Sequence, residues 1–393
     1  MPIYLDHHAT TPVDPRVLEK MLPFFRETFG NAASINHVFG WRAAAAVQVA
    51  RDQIAALLNV SAKSIVFTSG ATEANNIALK GVLAAAGPNR HVLTTSVEHK
   101  AILDPLKRME RRGHSVTVIP VDDEGIVDPE QLEAAIRPET VLISVMWANN
   151  EIGSIQPIGE ISEICRKRKV LLHTDAAQAA GKIPLDLIET PVDLLSLSGH
   201  KLYAPQGIGI LYVRQRAPRI QIEPLFDGGG HEGHLRSGTL PVPLIVGLGV
   251  ACQIAQDELT TESQRLSELS LRLRNGLNQR LAGLTFNGPV GATRLPGNVH
   301  VSVAGINGVA LLANLREIAV SSGSACTTAD PEPSHVLRAI GIPEALSLAS
   351  IRFGLGRETT TDQIDFTISY FAEIVTRLRN QSRDLELHAP GPG

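Results

Sequence analysis

Cysteine is scarce in this sequence: Cys165, Cys252 and Cys326 are the 3 cysteines in 393 residues. So small and odd a number excludes a disulfide framework, and no Cys-x-x-Cys pair marks a zinc site. Net charge is scarce as well. At −4 it leaves neither a basic footprint for nucleic acid nor a polybasic patch for a membrane. No uninterrupted apolar run approaches the roughly 20 residues of a membrane helix. The opening Met1-Pro2-Ile3-Tyr4-Leu5-Asp6 lacks the charged and apolar regions of a signal peptide and the arginines of a transit peptide. The expectation is a cytoplasmic protein whose mature chain starts here.

What is present is apolar mass, 44% of the residues, enough for a sizeable core and roughly two to three domains. Residues 1–16, with Asp6-His7-His8-Ala9-Thr10-Thr11-Pro12, read as a polar arm. Adjacent residues rarely converge on one ion, so hydrogen bonds rather than metal ligation are expected of Asp6, His7 and His8. Residues 16–29 and 39–58 read as helices. From Ser64 apolar strands alternate with helices: strands at 65–68, 91–95, 116–120, 141–145, 170–173 and 194–197, helices at 72–86, up to 111, at 129–136 and up to 169. This predicts an α/β fold, a mostly parallel sheet with helices on both faces. In such sheets ligands bind beyond the carboxyl ends of the strands, which selects residues 69–72, 98–100, 149–151, 175–178 and 198–201. Near residue 258 the pattern changes to a long charged helix over 257–281 and shorter elements, including strands at 298–303 and 350–353. The expected division is an arm, 1–16, joining the small domain, a large domain, 17–257, and a smaller α+β domain, 258–393. Residues 388–393 are expected to be disordered.

The loop Ser198-Gly199-His200-Lys201 carries a lysine where lysines are unusual. Near apolar walls an ammonium loses hydration, its pKa falls, and it becomes a usable nucleophile or base. A solvated loop lysine is the plain alternative. Ser69-Gly70-Ala71-Thr72 joins a strand to a helix N-terminus, a natural phosphate seat or an ordinary turn capped by Thr72. It has neither P-loop nor dinucleotide spacing. Asp175 ends a buried strand. A carboxylate there is costly unless it meets a cation, although a helix cap would also explain it. Gln178 lies on the same side if a helix has begun. Lysine, acid and anion seat at the strand ends of one sheet form the set that a pyridoxal phosphate site requires.

The chain resembles cysteine desulfurases of the NifS/IscS type, in the fold-type I, class-V aminotransferase family. The motifs that carry the resemblance are Tyr4-Leu5-Asp6-His7-His8-Ala9-Thr10-Thr11, Thr68-Ser69-Gly70-Ala71-Thr72-Glu73-Ala74-Asn75-Asn76, Glu98-His99-Lys100, Asn149-Asn150-Glu151-Ile152-Gly153, His173-Thr174-Asp175-Ala176-Ala177-Gln178, Ser198-Gly199-His200-Lys201 and Arg236-Ser237-Gly238-Thr239. The resemblance implies that Lys201 binds pyridoxal phosphate as a Schiff base. It implies that Asp175 holds the ring nitrogen, Gln178 the ring hydroxyl and His99 the ring face, with a part in proton transfer. Gly70, Ala71, Thr72, Ser198 and His200 would surround the phosphate. Thr239 would reach the phosphate of a neighbouring subunit, which implies a homodimer. Asn150 and Arg352 would hold the substrate carboxylate. Between apolar Ile351 and Phe353, Arg352 also faces away from its neighbours, and a guanidinium pairs bidentately with a carboxylate; a solvent-facing strand arginine is the plain alternative.

Cys165 and Cys252 lie in apolar helical patterns and read as inert core residues. Cys326 lies in Ser321-Ser322-Gly323-Ser324-Ala325-Cys326-Thr327-Thr328, a run of small residues that suits a reactive thiol. The resemblance places the persulfide-carrying cysteine there. It implies conversion of L-cysteine to L-alanine, with the sulfur passed to an acceptor such as an iron–sulfur scaffold or a sulfur carrier. Alternatives are another pyridoxal phosphate-dependent lyase or aminotransferase, including a selenocysteine lyase, and a catalytically silent sulfur-carrier partner. A transaminase has no need of a loop thiol. His231 and His234, after Gly228-Gly229-Gly230, lack a metal-binding pattern, and no metal is expected.

Overall fold

The computed structural model describes residues 1–322 and 333–387. Cys326 and the tail 388–393 lie outside the described residues. The chain begins with β1 (Ile3–Tyr4), α1 (Pro15–Arg26) and α2 (Val38–Leu57). Asp14 caps α1 by accepting from Arg16 N at 2.9 Å, and Pro15 supplies a preset φ at the first helical position. Next come β2 (Ile65–Thr68), α3 (Ala71–Ala86), β3 (His91–Thr95), α4 (Lys100–Glu110), β4 (Ser115–Ile119), α5 (Pro129–Ala134), β5 (Thr140–Ser144), α6 (Ile158–Arg168), β6 (Leu171–Asp175), β7 (Leu194–Ser198) and β8 (Gly209–Val213).

These strands form a 7-stranded sheet in the order β2-β8-β7-β6-β5-β3-β4. From β7 to β4 neighbours run parallel, and β8 is antiparallel to both of its neighbours. Alternation along each strand feeds two cores. Phe67, Leu93, Ile143 and Leu195 face one, while Val66, Val92, Leu142 and Leu194 face the other. The expected α/β sheet with helices on both faces is therefore present. After β6 the chain does not enter a helix: residues 177–182 are turns.

The long helix α7 (Val242–Arg280) begins well before the expected start near residue 257. Charges become dense there, but no helix breaker intervenes. The helix runs from Ile245 and Leu248 in the first core to Leu273 and Leu277 in another. Its first half is long and apolar enough to cross a bilayer, which a reading of uninterrupted runs passes over. In this fold Ile245, Leu248, Ala251 and Cys252 are buried within the protein.

The remaining elements are β9 (Leu284–Phe286), β10 (Asn298–Val303), α8 (Gly308–Asn314), β11 (Ile318–Ala319), β12 (Ser321–Ser322), α9 (His335–Ala339), α10 (Glu344–Leu348), β13 (Ser350–Gly354) and α11 (Thr361–Leu387). A second, antiparallel sheet, β12-β13-β10-β9, packs around Leu273, Phe353 and Phe371. β1 pairs with β11, and Leu5 enters the same core. From there the arm reaches across to the large sheet.

Candidate active site

The carboxyl ends of β2, β3, β5, β6 and β7 open on a cavity of 570 Å³. Gly70, Ala71, Thr72, His99, Asn150, Asp175, Gln178, Ser198, His200 and Lys201 line it, and β13 adds Arg352. Thr239 is exposed and outside this lining.

Lys201 closes a short 3₁₀ turn, Gly199–Lys201, directly after β7. Its Nζ donates to the carbonyls of His8 and Ala9, each at 2.6 Å. Burial lowers its pKa to about 8, aided by the Arg352 charge and opposed by Asp6 and Asp175. An amine with that pKa is partly neutral near pH 7.

Asp175 is buried at the end of β6. Its carboxylate accepts from Asn75 Nδ2 at 2.7 Å and from Ala177 N at 3.0 Å. Among the described residues it has no ion-pair partner, and its oxygens are held by hydrogen bonds alone.

At the start of α3, Gly70 is the N-cap and no side chain caps the helix. This corrects the reading of Thr72 as a cap. The first-turn N–H groups of Ala71, Thr72 and Glu73 are left for an anion. Two glycines shape the turn. Gly70 takes φ 153°, and a Cβ on Gly209 would lie 2.6 Å from Gly70 Cα.

His99 caps α4 by accepting from Ala101 N at 3.1 Å through Nδ1. Burial lowers its pKa, so the ring is neutral and carries its proton on Nε2. His200 shares a hydrogen bond of 3.0 Å between Nδ1 and Thr10 Oγ1, and burial lowers it to about 4.

Arg352 is buried. Its Nη1 donates to Asn150 O at 3.0 Å and its Nη2 to Asp6 Oδ1 at 2.8 Å, while Nε has no partner. Gln178 Oε1 accepts from Lys182 Nζ at 2.9 Å and lies 3.0 Å from His8 Nδ1, and Gln178 Nε2 donates to His8 O at 2.9 Å.

Residues 3–366 match the family model described as Aminotransferase class-V. Cysteine desulfurase IscS of Anaeromyxobacter sp. (strain Fw109-5) is 52% identical over 392 residues, covering 100% of this chain and 96% of the relative. A solved NifS-like protein aligns with a TM-score of 0.89 at 38% identity, covering 96% of this chain and 100% of that one. The chain belongs to the cysteine desulfurases of the class-V aminotransferase family. A structure described as SspA in complex with cysteine also aligns, with a TM-score of 0.79 at 37% identity, covering 90% of this chain and 98% of that one.

For a member of this family, the sequence reading missed the residues that hold the site residues in place. Asn75 lies on α3 and fixes Asp175, but a mid-helix asparagine carries no signal of its own. Asp6, His7 and His8 were expected to make hydrogen bonds, and they make them to Arg352, the Gly354 carbonyl and Gln178, while the unforeseen Ala9 carbonyl accepts from Lys201. Glu98 is wholly buried and burial raises its pKa to about 8, so its carboxyl is protonated at neutral pH. It accepts from Thr95 Oγ1 and Met146 N, each at 2.8 Å, and Oε2 has no partner. Cys165 and Cys252 are buried and free, and burial pushes the Cys165 thiol up to about 12 and the Cys252 thiol higher still.

Proposed function

We propose that this enzyme uses pyridoxal phosphate to take the sulfur of L-cysteine onto Cys326 as a persulfide, leaving L-alanine. The observation that carries the reading is one cavity holding a lysine lowered to about 8 and a buried carboxylate, Asp175, without a cation of its own. The donor set fits the cofactor. Asp175 suits a protonated ring nitrogen, the uncapped start of α3 suits the phosphate, and Lys201 suits the aldehyde. Thr72, Ser198 and His200 line the same cavity and would complete the phosphate seat.

When bound, pyridoxal phosphate supplies a protonated ring that takes up the electron pair released when the substrate Cα loses its proton. Asp175 keeps the ring nitrogen protonated, and Asn75 and Ala177 N hold the carboxylate in place. Arg352 and Asn150 take the substrate carboxylate. Lys201 Nζ, free once substrate is bound, accepts the Cα proton. His99 holds a transferable proton on Nε2. The Cys326 thiolate attacks the substrate sulfur. A sulfur–sulfur bond forms, the carbon–sulfur bond breaks, and its electron pair stays on carbon, where protonation gives alanine.

The chain on either side of the Cys326 segment is anchored near the proposed clamp, which supports this role. Ser321 pairs with Arg352 in the β12–β13 ladder, and Ser334 Oγ donates to Glu151. Two buried, unpaired cysteines support a reducing, cytoplasmic location. An exposed apolar surface at the C-terminal end of α1, the loop after it and the start of α2 supports a homodimer. It includes Phe25, Phe29, Ile35, Phe39 and Trp41, with Phe29 64% and Ile35 79% exposed. In that dimer Thr239 reaches the partner's phosphate seat. The persulfide passes to an acceptor protein, an iron–sulfur scaffold or a sulfur carrier.

Two variants test the reading. Lys201→Ala should lose both the visible absorbance of the bound cofactor and alanine formation. Cys326→Ala should keep the absorbance and lose alanine and sulfide formation. Unchanged turnover in the second variant would refute the persulfide step.

A further inference from the structure

A second lysine stands behind Lys201. Lys182 lies in the turns after β6, part-buried, and shares with Lys201 the wall of a small inner cavity of 30 Å³. Its Nζ makes one side-chain hydrogen bond, to Gln178 Oε1, and joins no ion pair among the described residues. The two amines are linked through the Gln178 side chain and the backbone carbonyl of His8. Lys182 donates to Gln178 Oε1, Gln178 Nε2 donates to His8 O, and Lys201 Nζ donates to that same carbonyl.

This arrangement fixes the Gln178 amide. Reversing it would set its oxygen against the carbonyl of His8, now 2.9 Å from Nε2. In the observed orientation Oε1 accepts from Lys182 and from the Nδ1–H of His8, which uses both lone pairs. One Nε2 hydrogen goes to His8 O, and the other is free. Toward a ligand in the cavity Gln178 therefore acts as a donor only, and Lys182 enforces this.

The charges around the pair are of one sign on the near side. Burial of Lys182, with the charges of Lys201 and Arg352, lowers it to about 7. Its own charge helps to hold His7, His8 and His200 low. Asp6 and Asp175 act on Lys201 in the opposite sense. Glu262 and Arg357 line the far side of the inner cavity.

We propose that Lys182 is a positioning residue: it holds the Gln178 amide as a donor toward the bound cofactor and, from the shared cavity wall, adds a like charge to those around the Lys201 nitrogen. This rests on the cofactor reading above. It assigns Lys182 no contact with substrate.

The test uses the full chain loaded with pyridoxal phosphate, and the readout is the pH midpoint of its visible absorbance. Lys182→Met removes the positive charge that Lys182 carries near the Lys201 nitrogen at and below about neutral pH. Protonation there becomes easier, and the midpoint should rise by roughly half a pH unit or more. Lys182→Arg keeps the charge and should leave the midpoint at or below that of the wild type. If Lys182→Met does not fold, Lys182→Gln serves as the neutral variant under the same criterion. A neutral variant that titrates like the wild type would overturn the proposal. So would equal upward shifts in the neutral and arginine variants, because packing rather than charge would then be the cause. A wild-type protein without visible absorbance after loading would instead refute the cofactor reading itself.

Discussion

Asp6 and Arg352 meet at 2.8 Å across the fold, one from the N-terminal arm and one from the middle of β13. The same carboxylate accepts from Ser321 Oγ through both oxygens, at 2.8 and 2.9 Å. Asp6 thus joins the proposed substrate clamp to the strand that leads into the Cys326 segment. Asn150 O holds the other guanidinium arm, so the orientation of the planar group is set from two sides before substrate arrives.

Asp6→Asn should therefore weaken substrate binding more than turnover. A neutral amide holds the guanidinium less firmly, and the KM for L-cysteine should rise about tenfold with a smaller change in kcat. Steady-state kinetics checks this. Arg352→Ala should have the larger effect on KM.

Asp175→Asn separates catalysis from stability. Without its carboxylate the ring nitrogen loses its counter-ion, and alanine formation should fall by at least about a hundredfold. The cofactor-free protein should be no less stable, because a buried carboxylate without a cation costs desolvation that an amide avoids. Thermal unfolding of the cofactor-free variant, at or above the wild-type midpoint, is the expected result.

Glu98 gives a pH signature. Its pKa is raised from 4.5 to about 8 by burial. Between those values the folded state keeps a proton that the unfolded chain has lost, so this residue's contribution declines as pH rises through that window. The slope is at most about 1.4 kcal/mol per pH unit. Glu98→Gln removes the dependence. Denaturant unfolding from pH 5 to pH 8 should show the variant gaining steadily on the wild type.

The exposed apolar surface tests the assembly. Trp41 is 58% exposed although its Nε1 donates to Ile35 O at 2.7 Å, so the ring is held in place facing solvent. Phe29→Asp with Trp41→Asp should convert a dimer to a monomer in sedimentation. If Thr239 completes the neighbouring site, cofactor affinity should fall as well. An unchanged dimer would place the interface elsewhere.

Much of the fold was legible because its information is local. Short β-branched and leucine runs at 65–68, 91–95 and 194–198 cannot be satisfied except in a covered sheet, and their ends marked the cavity. The start of the long helix was placed near residue 257 for an equally local reason. Charge density changes there, but helix continuity depends on propensity and packing, and α7 has both. Lys201, Asp175 and Arg352 were visible because each is a charged residue in an apolar setting. Their supports were not. The carbonyls of His8 and Ala9 that hold Lys201 have no side-chain signature, Asn75 resembles any polar helix residue, and Lys182 shows its character only through what surrounds it.

The central claim is that sulfur from L-cysteine becomes covalently attached to Cys326. Mass spectrometry of the cofactor-loaded protein after addition of L-cysteine tests it most directly, with alkylation before digestion to trap the modified thiol. The expected result is one additional sulfur, on the peptide containing Cys326, with Cys165 and Cys252 unmodified. Alanine formation with no added sulfur on Cys326, or with the sulfur on another cysteine, would contradict it.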